Sequence, residues 1–593
     1  MKDFLEKVKV FFANLGVKIS EFCKKLGKRN LIIISAVIVV VLIAIIVPCA
    51  VVGANKSSGN SNNGGNTTIT GGETGGSTGG ETGGSTGGEA GGSTGGGETG
   101  GYDNTAAKDF TLVALADGTY KVTGYTGSST AIVFPSKYNG KDVTEIDEAI
   151  FKDKTTIKSV VIPNSIKIID SEAFANCTGL ESVTLGTGLK EIGWYAFDNC
   201  SSLTSITIPG NVDTIGFYSF SNCTGLTTVN IENGVRCIEK QAFLSCTSLT
   251  NLTLPNTLTN IESGAFLSTP VYTNNCITDN GLKYFGYNGN SHYLLVEAES
   301  DSQTTYSINA DTKIIGGWAF YGCEQMTSIT IPSGVTAIGS GAFDGCSALT
   351  SIIIPNGVTT IEDDLFDECS ALASVTIPSS VTKIGDSAFY HSGIESIVIP
   401  DSVTIMGNNS FARCDKLESV TLSNNLTIID NNTFYCCTEL SSIVIPNSVT
   451  KIGDEAFDGC TKLSSVSIGT GVTSIGKRAF RLTVLTSITI PGNVLKIDQF
   501  AFLSCENLSS VTLEDGITEI EREVFNGCTA LTTITIPTSV NYMGDYVFCS
   551  CKSDLVINIK KSKSSTSNWE TTWSGIDVDQ PRDTQYIHWD YSD

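Results

Sequence analysis

The chain is organised by a short apolar–polar pattern that returns at nearly fixed spacing. Between Phe151 and Phe548 a phenylalanine recurs at positions 151, 174, 197, 220, 243, 266, 320, 343, 366, 389, 411, 434, 457, 480, 502, 525 and 548. The step is 23 residues, apart from two steps of 22 and one of 54 between Phe266 and Phe320. A fixed period of this length marks stacked supersecondary units, none of which can bury its apolar face alone. Within one unit, Leu349, Ile352 and Ile354 keep an L-x-x-L-x-L spacing. That spacing turns them inward and leaves Ser351 and Ile353 outward on a short strand. Val335 and Ile338 form a second inward pair, and Ala342-Phe343 fills the far side of the coil. The proline after the strand, Pro332 in this unit, has no N–H to donate, so it ends pairing and turns the chain. The pattern predicts one coil per repeat: a mostly β solenoid of short parallel strands, turns and short helical segments. At about 4.8 Å per coil the coils would span on the order of 80–90 Å, divided by the gap between Phe266 and Phe320 into blocks of six and eleven.

A well-formed unit reads Ile331-Pro332-Ser333-Gly334-Val335-Thr336-Ala337-Ile338-Gly339-Ser340-Gly341-Ala342-Phe343-Asp344-Gly345-Cys346, then Ser347-Ala348-Leu349-Thr350-Ser351-Ile352. This unit resembles the repeats of the BspA-like leucine-rich-repeat family, found on the surfaces of bacteria and some protists. Residues 103–148 are similar to that family's opening cap, with Asp117-Gly118-Thr119-Tyr120-Lys121-Val122-Thr123-Gly124-Tyr125 reading as a turn followed by a strand. The resemblance implies a right-handed solenoid and a role in adhesion to host proteins or other cells.

The regions around the array differ sharply in pattern. Residues 1–30 carry eight Lys or Arg and three acids, and residues 31–54 carry no charge at all. A run of roughly 20 apolar residues suffices to cross a bilayer, and the flanking bases keep the N-terminus cytoplasmic. Val52-Gly53-Ala54 would suit a signal peptidase, but the long basic region and long apolar core favour an uncleaved anchor. Residues 55–101 repeat GGETGGSTGG and hold too little apolar surface to fold, so they read as a flexible tether. The expected order is therefore a basic cytoplasmic segment (1–30), a transmembrane anchor (31–54), a linker (55–101) and an N-terminal cap (102–148). Two repeat blocks (149–269 and 313–551) follow, separated by an insertion (270–312), and residues 552–593 close the array with Trp569, Trp573 and Trp589 as a C-terminal cap. This places the array outside the plasma membrane on a single-pass anchor.

Composition narrows the chemistry. The formal net charge of −24 argues against nucleic acid as a partner, because phosphates are bound by clustered Lys and Arg. His292, His391 and His588 are the only histidines, and no nucleophile elbow, zinc-protease, P-loop or dinucleotide signature stands in a suitable setting. No catalytic residue, metal site or cofactor is expected. Thirteen of the 19 cysteines sit three residues after a repeat phenylalanine. Thr269, Ser392 and Thr483 fill the same slot elsewhere, as small residues would in a packed column, so these cysteines read as buried free thiols.

The candidate ligand face is the outward side of the longer strands. Ser205 and Thr207, Ser328 and Thr330, Ser374 and Thr376, and Ser487 and Thr489 would stack into a flat, uncharged, hydroxyl-lined strip. β-propensity on a solvated face accounts for such residues by itself. Read functionally, they offer a face to a protein or glycan on another surface. The insertion adds Tyr284, Tyr287, His292 and Tyr293 as candidate contacts, or else forms a structural hairpin bridging two sub-arrays. The leading expectation is a non-enzymatic, membrane-tethered array for adhesion or recognition. A structural surface protein that self-associates through its array faces is the alternative.

Overall fold

The computed structural model describes residues 107–574 and 586–592. The expected cytoplasmic segment, anchor and linker lie outside these residues. Among the described residues no helix is long and apolar enough to cross a membrane.

Each coil contributes two strands. The longer one carries the Ser-x-Thr positions, as in Ser328–Thr330, Ser351–Ile353 and Ser374–Thr376. The shorter one carries the second inward pair, as in Thr360–Ile361 and Lys383–Ile384. Pairing from coil to coil is parallel and one repeat in register: Ser351 faces Ser374, and Thr360 faces Lys383. Register is fixed because a one-residue slip would expose every inward side chain. Leu349, Ile352, Ile354, Val335 and Ile338 are all buried, while Ile353 is 79% exposed.

The far side of the coil is a stack of turns. The residues two before and two after each phenylalanine adopt left-handed backbone, as at Asp364 (φ 55°) and Glu368 (φ 54°) around Phe366. Two left-handed residues so close together stop a helix. They send N–H groups sideways to the next coil, Phe366 N–H to Ala388 O at 2.8 Å for example. This overturns the expectation of short helical segments in the repeats. Among the described residues the helices are Pro270–Asn275 and a 3₁₀ turn at Lys563–Ser565, both outside the coils. Inside the turns of each block the phenylalanines form a column, with neighbouring ring centroids 5.0 to 5.9 Å apart and planes within 22°.

The cysteine column runs beside it. Apart from Cys323, which lies 3.6 Å from the Tyr306 hydroxyl, each thiol of the column reaches back to a phenylalanine carbonyl of the previous coil: Cys200 donates to Phe174 O at 3.3 Å and Cys437 to Phe411 O at 3.1 Å. Where the slot is hydroxylic, Thr269 donates to Phe266 O at 2.7 Å and Thr483 to Phe480 O at 2.9 Å. Small size and one donor are what the column requires. The cysteines are free, and most of the column is fully buried.

Both ends of the array are covered. Phe110–Ala114 and Tyr120–Tyr125 form an antiparallel hairpin whose second strand continues, parallel, into Lys141–Ile146 and the first coil. At the other end Trp573 packs edge-on to Phe548 at 6.3 Å, and Trp569 and Trp589 close around it.

The insertion bends the array. Thr269 caps the helix Pro270–Asn275, and three antiparallel strands follow: Cys276–Asp279, Leu282–Tyr287 and Asn290–Ala298. The third runs parallel to Ile314–Ile315 and so becomes a rung of the second block. Phe285 stacks on Phe266 at 6.0 Å and extends the phenylalanine column into the hairpin. On the short-strand side the blocks touch directly, Gly317 N–H donating to Ile261 O at 3.0 Å. On the long-strand side one sheet ends at Asn251–Thr253 and another begins at Thr305–Ser307. Closed on one side and wedged open on the other, the array turns enough for Arg236 Nη2 to reach Thr360 Oγ1 at 3.3 Å. The two blocks expected from the gap between Phe266 and Phe320 thus meet at an elbow.

Candidate functional site

The hydroxyl strip lies where the outward alternation puts it. Ser205, Thr207, Ser328, Thr330, Ser374, Thr376, Ser487 and Thr489 are all exposed, while Ile206, Ile329, Val375 and Ile488 between them are buried. Parallel registry aligns the columns: Ser205 with Thr228, Ser328 with Ser351, Ser487 with Ser510. A second file of hydroxyls borders the serines, Thr327 donating to Thr304 O at 3.2 Å and Thr350 to Thr327 O at 3.2 Å. These threonines are turned onto the neighbouring coil, whereas the strip proper projects into solvent. The strip is not uniformly polar. Ile353, Val398 and Val444, at the threonine position of every second coil, are 79%, 65% and 68% exposed. The elbow divides the strip, placing Ser205 and Thr207 in one block and the other six residues in the second.

The insertion residues are brought together, but largely as packing. Tyr284 is fully buried and its hydroxyl accepts from Asn309 N–H at 3.1 Å, so its candidacy as a ligand contact is corrected. Tyr287 accepts from Leu254 N–H at 2.9 Å. In other coils the equivalent N–H goes to the next coil's carbonyl, as from Ile399 to Thr421 O at 2.9 Å. Tyr287 therefore stands in for a missing coil at the open edge of the sheet. Tyr293 packs against Tyr287 with centroids 5.3 Å apart. Beside them a cleft of about 370 Å³ is lined by Leu252, Asn274, Tyr287, Asn288, Asn290 and Ser291, among others.

His292 sits in a trio that contains the residue types of a hydrolytic triad without its order. Ser291 Oγ is 3.0 Å from Nδ1, and Asp279 Oδ2 is 3.3 Å from Nε2. Nε2 nevertheless lacks a hydrogen bond of acceptable alignment. In a working triad the carboxylate orients Nδ1–H and Nε2 serves the nucleophile; here the two sides are exchanged, and Tyr284 covers the imidazole at 4.8 Å. The trio fastens strand to strand. His391 is exposed on a left-handed turn residue.

Two turn acids are electrostatically unusual. Asp344 and Asp367, on successive coils, are both pushed up to about 7, first by burial and then by neighbouring acids. Among the described residues no group of three or more His, Cys, Asp or Glu is arranged to hold a metal. The strip pattern also passes over an aromatic cluster at Trp194, Tyr195, Phe217 and Tyr218. Its signal is in the sequence: Gly193-Trp194-Tyr195-Ala196-Phe197 is followed one period later by Gly216-Phe217-Tyr218-Ser219-Phe220.

Comparison with known proteins agrees with the repeat. The family model described as a BspA type leucine rich repeat region, in six copies, matches residues 144–272, 298–418, 382–508 and 474–570. No curated protein matches the chain. Among solved structures, a leucine-rich repeat protein from Bacteroides ovatus is 24% identical over 76% of this chain and 98% of its own, with a TM-score of 0.41. A leucine rich cell surface protein from Faecalibacterium prausnitzii is 26% identical over 69% of this chain and 93% of its own, with a TM-score of 0.26. A leucine-rich repeat protein from Eubacterium ventriosum is 24% identical over 60% of this chain and 94% of its own, with a TM-score of 0.26.

Proposed function

This chain belongs to the BspA-type leucine-rich repeat family, and from that premise we propose that it is a non-enzymatic recognition array, tethered to the plasma membrane through residues 31–54 and displayed outside the cell for adhesion to a protein or glycan on another surface. The observation that carries the reading is the strip itself: long, uncharged, solvent-facing and aligned by registry, on a chain whose net charge is −24. A surface without charge can approach a partner without paying for desolvated ions. The inner face of every coil is committed to the core, so recognition falls to outward residues. The trio at His292 supports no competing catalytic reading, because it offers neither triad order nor an aligned carboxylate.

The test is retention of the full chain, purified in detergent, on immobilised matrix proteins and on whole cells. Loss of retention on replacing Thr330, Thr376 and Thr489 together by Lys supports the strip as the contact face. Failure of the unaltered chain to adhere to any surface removes the reading.

One observation favours the structural alternative. Ile353, Val398 and Val444 place an exposed apolar residue at every second rung of the strip, a pattern that suits mating with a second copy. Light scattering over a concentration series separates the two: mass growth abolished by Ile353→Lys points to self-association.

A further inference from the structure

We infer that Trp194, Tyr195, Phe217 and Tyr218 form an aromatic platform on the turn side of the first block that stacks against the rings of an uncharged glycan. The inference deepens the recognition reading and rests on it, but it uses a different face from the hydroxyl strip.

The cluster spans two successive coils. Tyr195 and Tyr218 stack with centroids 5.0 Å apart and planes 5° from parallel. Phe217 meets Tyr218 edge-on at 4.2 Å, and Trp194 meets Phe217 edge-on at 6.4 Å. Trp194 is 59% exposed, although burial of so large an apolar ring is strongly favoured.

Nothing in the coil requires these rings; the backbone is served better without them. In the run Asp363, Asp386, Asn408, Asn431 and Asp454 of the second block, the position of Trp194 and Phe217 is held by Asp or Asn, and side chains there bind the equivalent N–H one coil on. Asp363 holds Asp386 N–H at 2.8 Å, Asp386 holds Asn408 N–H at 2.7 Å and Asn431 holds Asp454 N–H at 2.8 Å. Trp194 cannot do this for Phe217. Glu239 of the following coil does it instead, accepting Phe217 N–H at 2.7 Å. The tyrosines stand at left-handed positions, φ 56° for Tyr195 and 54° for Tyr218, where a bulky side chain is disfavoured. Trp194 and Phe217 are thus kept where a ladder residue could stand and the two tyrosines where the backbone disfavours a bulky side chain, with a carboxylate anchored beside them.

That combination fits a saccharide. A pyranose presents an apolar C–H face to aromatic rings and hydroxyls at its rim to acceptors such as Glu239. Asp198, Glu172 and Glu239 around the rings outnumber the cations beside them, Lys152 paired with Glu172 and Lys240 one coil beyond Phe217, so the rim is net acidic. An anionic glycan would be repelled at short range, which leaves an uncharged one.

The experiment is pull-down of the full chain in detergent on cellulose, chitin and mannan, with polygalacturonate as the charged comparator. Retention on at least one neutral polysaccharide is expected. It should weaken about tenfold in Trp194→Ala, the loss of a good aromatic contact, and recover largely in Trp194→Phe. Since Trp194 is exposed, its removal leaves the fold intact, and a Thr330→Lys variant serves as the strip control. Binding to none of the neutral polysaccharides, equal binding by Trp194→Ala, or polygalacturonate bound as tightly through the same rings would each overturn the platform. So would association between copies that depends on Trp194 and ignores saccharide. A chain that still adheres to cells when Trp194→Ala is silent overturns the platform alone; a chain that adheres to nothing overturns the recognition reading too.

Discussion

At the scale of the residue, each column asks one property of its side chain. The thiol column asks for a small group with a donor. Burial pushes Cys177, Cys414 and Cys505 up to about 12. These thiols therefore stay protonated and shielded near pH 8, where only thiolate attacks a disulfide reagent. The expected titration of the native protein counts the partly exposed thiols, such as Cys436 and Cys549, while the buried column appears only after denaturant. Cys414 donates to Phe389 O at 3.0 Å. Cys414→Ser keeps a donor there and should cost no more than about 1 kcal/mol, whereas Cys414→Ala leaves Phe389 O with only the Ser392 N–H and takes from the buried Ser392 hydroxyl its partner at 3.3 Å, and should cost about 1–3 kcal/mol. Urea melts of the two variants give the comparison. The phenylalanine column asks instead for volume: Phe343→Ala should cost about 3–5 kcal/mol, since its neighbours on adjacent coils are rings fixed by their own coils and cannot collapse into the void.

At the scale of the element, stacking places identical positions of neighbouring coils side by side, so a residue harmless in one coil becomes costly in two. Asp344 and Asp367 illustrate it. Their carboxyls are raised from an ordinary 3.8 to about 7 by burial and by the acids around them. A carboxyl with a raised folded-state pKa holds its proton longer when folded than when unfolded. Stability then falls as pH rises from about 4 to about 7 through these groups. Both side chains are partly exposed, so the effect is moderated by solvent. The double variant Asp344→Asn/Asp367→Asn should melt higher than the parent at pH 8 and equally at pH 4; no difference at pH 8 would count against the coupling. This is also the scale at which the sequence was most legible. The 23-residue step gave coil, strand pairing, inward and outward positions and the proline turns, because one spacing constrains all of them at once. It did not give the left-handed residues on either side of each phenylalanine. Asn, Ser, Glu, Tyr and Arg all occupy those positions, so no residue type announces them, and helical segments were expected where turns occur. The aromatic platform was written at two successive equivalent positions, but it is an exception within a column, and periodicity reveals what repeats.

At the scale of the whole molecule, the insertion decides the shape, and its effect was hidden because it depends on contacts between residues far apart in sequence. A 54-residue gap signals extra chain; only the joining of Ile261 to Gly317 and Arg236 to Thr360 shows that the blocks meet at an elbow. The packing is divided there. One apolar core runs from Val122 to Val296 and also takes in Ile314 and Ala337; the other runs from Leu282 to Trp569. In stacked arrays, stability is a sum of unit terms and nearest-neighbour interfaces, so a weak interface separates cooperative units. At the elbow the strip-side ladder is missing, and on the short-strand side Asn260 bridges the blocks, donating to Ser340 at 3.2 Å. The blocks should consequently unfold as two calorimetric transitions. Phe220→Ala should lower only the one belonging to the first block and Phe457→Ala only the one belonging to the second, while Asn260→Ala should draw the transitions further apart by loosening the bridge. If both phenylalanine variants shift a single transition equally, the elbow transmits cooperativity as well as an ordinary coil interface, and the Tyr287 hydroxyl and the Ile261–Gly317 bond suffice to replace the ladder that the insertion interrupts.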